Sequence, residues 1–202
     1  MGWFAPLVGK IVNHPKDWFA AHQSENLRSI FGQAGQIHRD RGIEPEDAVP
    51  IPPRIGIPLL EQASAESEPA LQEMWAGLIA NAADPNRRID LMKAFIAILG
   101  QMDPLEARLV NFVSSQGWRG VIGPHDFGFM MRDLVQQLGA SEDDVRLALN
   151  SLARNNLVAG VTPTDLENIE ESVQRGALWW SHPKVKVVAT TLGMALVEAC
   201  RV

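Results

Sequence analysis

The chain has 202 residues, and 46% of them are apolar, so it can bury the core of one large domain or two small ones and is not disordered. Its formal net charge of −6 is divided equally between its two halves, so neither half is a basic module suited to nucleic acid. No stretch approaches the roughly 20 uninterrupted apolar residues that a membrane-spanning helix needs.

Residues 1–12 are apolar but lack the basic start and the cleavage site of a signal peptide. We expect them to form a strand or helix that docks on the fold, and the alternative is a short segment that lies on a membrane surface or binds a partner. Apolar side chains at helical spacing in residues 15–42, ended by Gly42, predict the first long helix. Five prolines in residues 43–58 predict an extended connector.

Helical spacing resumes at Leu59 and is clearest in residues 71–82, where apolar side chains form a single stripe. Ser67 is the expected N-cap of this helix, with Pro69 in its first turn. Residues 89–99 are apolar on more than one side, so we expect that helix to be central to the core of a helical bundle.

A new helix is predicted at residues 103–115. Asp103 supplies a capping side chain, Pro104 occupies the first helical position, and Glu106 places a carboxylate three residues after the cap. The patterns that follow predict a short strand at residues 117–123, a helix at 125–138, and a further helix that Ser141 caps and that buries Val145, Ala148, Leu149 and Leu152. Two strands at 157–162 and 184–190 and a closing helix at 192–200 complete the predicted order.

This order of elements is that of a winged helix. The predicted fold class is therefore mainly α, with an N-terminal helical bundle in residues 1–102 followed by a winged-helix-like module with a small β-hairpin wing in residues 103–202. Residues 163–182 are too many for a tight turn, so we expect them to form an elaborated wing.

Three segments together form a family pattern: a proline-led helix start at residues 53–60, LQEMWAGLIANA at 71–82 and ILGQMDPLEARLV at 98–110. The residues that carry the pattern are Leu71, Trp75, Leu78, Asn81, Asp103 and Pro104. Over about residues 15–160 the chain resembles the abortive-infection alpha family of bacteria. The resemblance implies a role in defence against phage, with no enzymatic activity and no stated mechanism.

Residue type alone suggests structural roles for two of these residues. A tryptophan within an apolar helical stripe, such as Trp75, is expected in the core. Asn81 lies one turn from the end of its helix, so we expect it to hydrogen-bond a neighbouring loop, with ligand binding as the alternative.

The residue types that usually carry chemistry lack the spacing that chemistry needs. The five histidines show no H-x-x-x-H or Cys-His spacing for zinc, and neither G-x-S-x-G nor G-x-x-x-x-G-K is present. The carboxylates in residues 165–171 are typical of a solvated acidic loop, and the alternative is that they bind a metal or act in acid-base catalysis. We therefore expect no catalytic, cofactor-binding or metal site, and a chain that is not an enzyme. The single cysteine, Cys200, excludes an intrachain disulfide and favours a cytoplasmic protein.

The predicted module raises the question of DNA binding, because the third helix of such folds enters the major groove by its N-terminal end. Here that end carries Glu142, Asp143 and Asp144, which would repel phosphates. The basic residues that could contact DNA are few: Arg146, Arg154, Lys184 and Lys186. The sequence favours contact with another protein and leaves a DNA-binding transcriptional regulator as the alternative.

Trp179 and Trp180 are adjacent large aromatic residues, and side chains alternate across a strand, so both cannot face one side of it. We expect one of them to be exposed or buried in a partner, as in a dimer contact, and the alternative is that both pack at a bend. The predicted function is a non-enzymatic phage-defence protein that acts through protein contact or self-association.

Overall fold

A computed structural model of the protein describes residues 25–87, 93–115, 128–161, 180 and 185–202. Within these residues the chain forms eight helices and two antiparallel strands: α1 (Glu25–Asp40), α2 (Pro53–Ser64), α3 (Pro69–Ala82), α4 (Lys93–Leu99), α5 (Pro104–Ser115), α6 (Met131–Leu138), α7 (Glu142–Arg154), β1 (Val158–Val161), β2 (Lys186–Ala189) and α8 (Thr191–Cys200). The prediction of a mainly helical chain is confirmed. Two compact units can be distinguished, one of residues 1–102 with 198–202 and one of residues 103–197.

Helix α3 is the centre of the first unit. Almost every residue from 71 to 81 is buried, because α1 packs along this helix and residues 198–202 cover another part of it. The described part of α4, in contrast, buries only Phe95, Ile96 and Leu99. The expectation that residues 89–99 form the central helix is therefore wrong for the described residues, and α3 is buried on more sides than a single apolar stripe requires.

The proline-rich connector is shorter than predicted, because α2 already begins at Pro53. A proline in the first helical turn leaves no hydrogen bond unmade. Pro58 lies inside α2 and cannot donate to the carbonyl of Arg54, but Arg54 is exposed and its carbonyl can bind water instead.

The predicted stop of α1 at Gly42 is confirmed by its positive φ of 67°. Helix α3 begins after Glu68, so the prediction of Ser67 as N-cap is wrong.

Helix α5 of the second unit begins at Pro104, where the start signals at residues 103–106 predicted a helix. The backbone N–H of Asp103 donates to the Glu106 carboxylate at 2.9 Å. Helix α6 begins at Met131, later than the predicted residue 125, because Phe129 pairs with Val187 by two backbone hydrogen bonds of 3.0 and 2.7 Å. This long-range pairing holds the backbone before α6 in an extended conformation.

Strands β1 and β2 pair in antiparallel register from Val158 opposite Ala189 to Val161 opposite Lys186. Helix α7 packs against α5 and α6, and it buries Val145, Ala148, Leu149 and Leu152, which are the residues that its spacing predicted. Three predicted features lie outside the described residues: the segment 1–12, the strand at 117–123 and, apart from Trp180, the wing at 163–182.

Candidate interaction site

The N-terminal turn of α7 is acidic and well capped. Ser141 is the N-cap, and its Oγ accepts a hydrogen bond from the Asp144 backbone N–H at 3.1 Å and donates to the Asp144 carboxylate at 2.6 Å. Glu142 and Asp143 complete the first turn, and both are exposed. Carboxylates in this position stabilise the helix through its dipole and also present negative charge to any partner.

The charge of Arg146 is paired with two of these carboxylates. Its guanidinium binds Asp143 Oδ1 at 2.5 Å and Glu142 Oε1 at 2.7 Å, within the same helix. Together with Asp144, these groups leave a formal charge of −2 on the first two turns, since three carboxylates face one guanidinium. A phosphate that approached this end of α7 would have to displace both ion pairs.

Leu147 lies beside this acidic turn and is 67% exposed, more than any other large apolar side chain described. It falls off the buried stripe of α7, which occupies the opposite face. Leu147 was not among the residues predicted to make an interaction, although its position off the buried stripe follows from helical spacing. An apolar side chain next to an acidic turn on an exposed helix face is suited to contact with a protein.

Trp180 is buried inside the second unit, with 6% of its surface exposed. Its indole N–H donates to Asn150 Oδ1 of α7 at 2.8 Å, so the ring lies against the same helix that carries Leu147. The side chain of Trp180 therefore makes its contacts within the chain itself. An interaction role for the tryptophan pair rests on Trp179, which lies outside the described residues and stays a prediction.

The basic residues predicted for DNA contact do not form one cluster among the described residues. Arg154 is exposed in the last turn of α7, eleven residues and roughly 16 Å along the helix from Asp143. Lys186 is half-buried on β2, and Lys184 lies outside the described residues. Arg146 is engaged at the acidic end of the helix, as described above.

The residues of the family pattern in α3 have structural positions. Leu71, Trp75 and Leu78 are buried in the first unit. The indole Nε1 of Trp75 is also buried and has no hydrogen-bond partner among the residues that the structure describes. A buried donor without a partner lowers the free energy of unfolding.

Asn81 is fully buried and binds the end of the chain. Its side-chain N–H groups donate to the carbonyls of Ala199 and Arg201, each at 2.9 Å. Its carbonyl oxygen accepts from Arg41 at 2.7 Å and from Arg87 at 3.1 Å. Arg41 also forms an ion pair with the buried Asp84 at 3.2 Å. The amide thus satisfies its full hydrogen-bonding capacity within the protein.

No group of three or more metal-ligating side chains occurs among the described residues. The thiol of Cys200 is buried in the first unit, and burial raises its pKa to about 12, which disfavours the thiolate that a nucleophile needs. In the part of the chain that the structure describes, no helix is both long enough and apolar enough to cross a membrane.

Comparison with known proteins identifies one family. The family model described as abortive infection alpha matches residues 25–200, which is most of the chain. Searches of curated proteins and of solved structures find no match. The matched range includes all six residues of the sequence pattern, from Leu71 to Pro104. The chain belongs to the abortive infection alpha family.

Proposed function

We propose that the protein acts in bacterial defence against phage, without catalysing a reaction, through contacts that α7 makes with another protein. Membership of the abortive infection alpha family supports the defence role. The acidic turn of α7 with the exposed Leu147 beside it is the observation that carries the mode of action.

We propose a winged-helix fold for the second unit, and the order of the elements described in it supports this assignment. Helices α5, α6 and α7 precede the antiparallel pair β1 and β2, and Phe129 adds a bridge to β2 in the place of a first short strand. In this assignment α7 is the third helix, the element that DNA-binding relatives of the fold insert into the major groove.

Charge on α7 favours a protein as its partner over DNA. Arg146 is held by two carboxylates, and the first two turns retain a net negative charge, so approach to a phosphate backbone is repulsive. The partner surface that fits is an apolar depression for Leu147 with basic side chains around it, because opposite charges at the rim of an interface guide association. A second copy of the chain or a different protein can provide such a surface.

A phage-plating assay tests this proposal. Bacteria that produce the full chain are challenged with a panel of phages, and Leu147→Asp is compared with Ile57→Asp, the same type of change at an exposed site in α2 where 40% of the side chain is accessible. We expect Leu147→Asp to abolish protection and Ile57→Asp to preserve it, with both chains folded by circular dichroism.

The DNA-binding alternative makes the opposite prediction. Arg154→Glu would then abolish protection while Leu147→Asp preserved it, and the purified chain would bind duplex DNA in a strongly salt-dependent manner. Those results would overturn the assignment of a protein partner. A chain that gives no protection against any phage in the panel would overturn the defence role itself.

A further inference from the structure

Three exposed residues of α7, Asp143, Leu147 and Arg154, lie on one side of the helix, and we call this set the α7 face. At 3.6 residues per turn, the three positions fall within about 40° of one another around the helix axis. They point away from the residues that α7 buries, so the α7 face is the side that the second unit leaves uncovered. At one edge of the face, Asn150 binds Trp180.

The charge of the α7 face changes sign from one end to the other. The carboxylate of Asp143 belongs to the acidic first turn, and 84% of its side chain is exposed. Arg154 lies in the last turn, roughly 16 Å away, and it forms no ion pair with any residue in the described part of the chain. Leu147, which is 67% exposed, lies between the two charged ends. A helix of the same composition that runs in the opposite direction is therefore complementary to this face.

A second copy of α7 in antiparallel orientation brings opposite charges together at both ends. The second copy's Arg154 lies beside Asp143, and two-fold symmetry generates the same contact at the other end. The midpoint between positions 143 and 154 is about 2 Å of helix rise from Leu147, so the two leucines meet near the two-fold axis and shield each other from water. A parallel arrangement would place the two acidic turns side by side, which is repulsive.

We propose that the partner of α7 is a second copy of this chain, bound antiparallel along the α7 face, with Leu147 at the centre and an Asp143–Arg154 ion pair at each end. This inference rests on the protein contact proposed for α7 above, and it selects one of the two partners named there. A single helix face is small compared with the interfaces of stable complexes, so the dimer is weak and reversible, with a dissociation constant on the order of 100 µM.

Two charge-reversed variants of the full chain test the arrangement. Asp143→Arg and Arg154→Glu each place like charges at both ends of the antiparallel contact, so each variant alone should self-associate on the order of tenfold more weakly than wild type. An equal mixture of the two variants restores opposite charges at both ends, and we expect it to associate about as strongly as wild type. Sedimentation equilibrium from roughly 10 µM to 1 mM protein measures all four samples around the expected dissociation constant.

Two further variants provide controls, and circular dichroism checks that every variant is folded. Arg132→Glu changes the net charge of the chain as Arg154→Glu does, but at a side chain in α6 that is 80% exposed and lies outside the α7 face. We expect it to leave self-association within about twofold of wild type. Leu147→Asp removes the apolar centre of the contact and should weaken self-association by more than about tenfold.

Wild-type protein that stays monomeric over the whole concentration range would overturn the second copy as the partner. Equal weakening by Arg132→Glu and Arg154→Glu, or a mixture that associates no better than its two components, would overturn the antiparallel arrangement. The phage-plating assay separates this inference from the function on which it rests. Loss of protection by Leu147→Asp in a chain that is monomeric as wild type would remove only the second copy and leave a different protein as the partner of α7. Protection that survives Leu147→Asp would overturn the proposed function itself.

Discussion

Replacement of Asn81 by leucine tests whether the family's asparagine is a structural residue. Leucine has a similar volume but removes four hydrogen bonds at once. Two of them are made to backbone carbonyls at 2.9 Å, and two are accepted from Arg41 and Arg87 at 2.7 and 3.1 Å. The side chain is fully buried, so water cannot replace these partners at position 81 itself.

The expected loss of stability can be worked out bond by bond. A neutral hydrogen bond contributes about 0.5–1.5 kcal/mol, and a bond to a charged group about 1.5–3 kcal/mol. The two arginine side chains are only partly buried, and Arg41 keeps its ion pair with Asp84, so most of their contribution is recovered through water. The carbonyl of the buried Ala199 loses its donor without such compensation, whereas the carbonyl of the exposed Arg201 keeps its contact with Arg41 at 3.5 Å. We therefore expect Asn81→Leu to lower the free energy of unfolding by about 3 kcal/mol.

Urea unfolding followed by circular dichroism measures this loss. Gln72→Leu is the matched control, because Gln72 is also a buried amide in α3 and its side chain bonds to Ser29 and to the backbone of Glu66. No charged group binds Gln72 in these contacts, so we expect a smaller loss, about 1 kcal/mol. A loss below about 1 kcal/mol for Asn81→Leu, or equal losses for the two variants, would refute the structural role of Asn81.

Two further predictions concern buried groups of the first unit. Trp75→Phe removes an indole N–H that has no partner within the described part of the chain, which offsets the lost ring volume, so we expect a change within about 1 kcal/mol in urea unfolding. Leu78→Ala, in contrast, should cost about 2–5 kcal/mol. The reverse order would contradict the assignment of Trp75 Nε1 as unpaired. Burial raises the pKa of Cys200 from 9.0 to about 12, so the folded state holds its thiol proton more tightly than the unfolded state does. Stability should be unaffected by this group below pH 9 and fall by about 1.4 kcal/mol per pH unit between pH 9 and 12. Cys200→Ala should lack this part of the alkaline loss, and identical pH profiles for the two proteins would argue against burial of the thiol.

The site on α7 and the contacts of Asn81 in α3 differ in how far the sequence predicted them. The acidic start of α7, its cap at Ser141 and its buried stripe follow from local spacing and are found as predicted. The engagement of Arg146 is also local, since its partners are three and four residues away. Leu147 was accessible to the same reasoning, because its position off the stripe requires an exposed location.

Contacts between distant residues could not be read in this way. The sequence suggested a loop as partner of Asn81, but the carbonyls that it binds lie 118 and 120 residues further along the chain. Asn150, the partner of Trp180, is 30 residues away, and nothing in the local pattern of either residue indicates the other. Strand alternation predicted that one of the two tryptophans is exposed or buried in a partner, and this stays a prediction for Trp179, since Trp180 packs within the chain.

By itself the sequence determined the helical character of the chain, most helix positions, the capped turns and the family, because each of these depends on spacing over a few residues. Only the tertiary structure decided that α3 is the central helix, that α6 starts late because Phe129 pairs with Val187, and that Gly77 faces the backbone of Cys200. The physical reason is that burial and long-range hydrogen bonding depend on which surfaces meet, and periodicity within one segment specifies a face without specifying its partner.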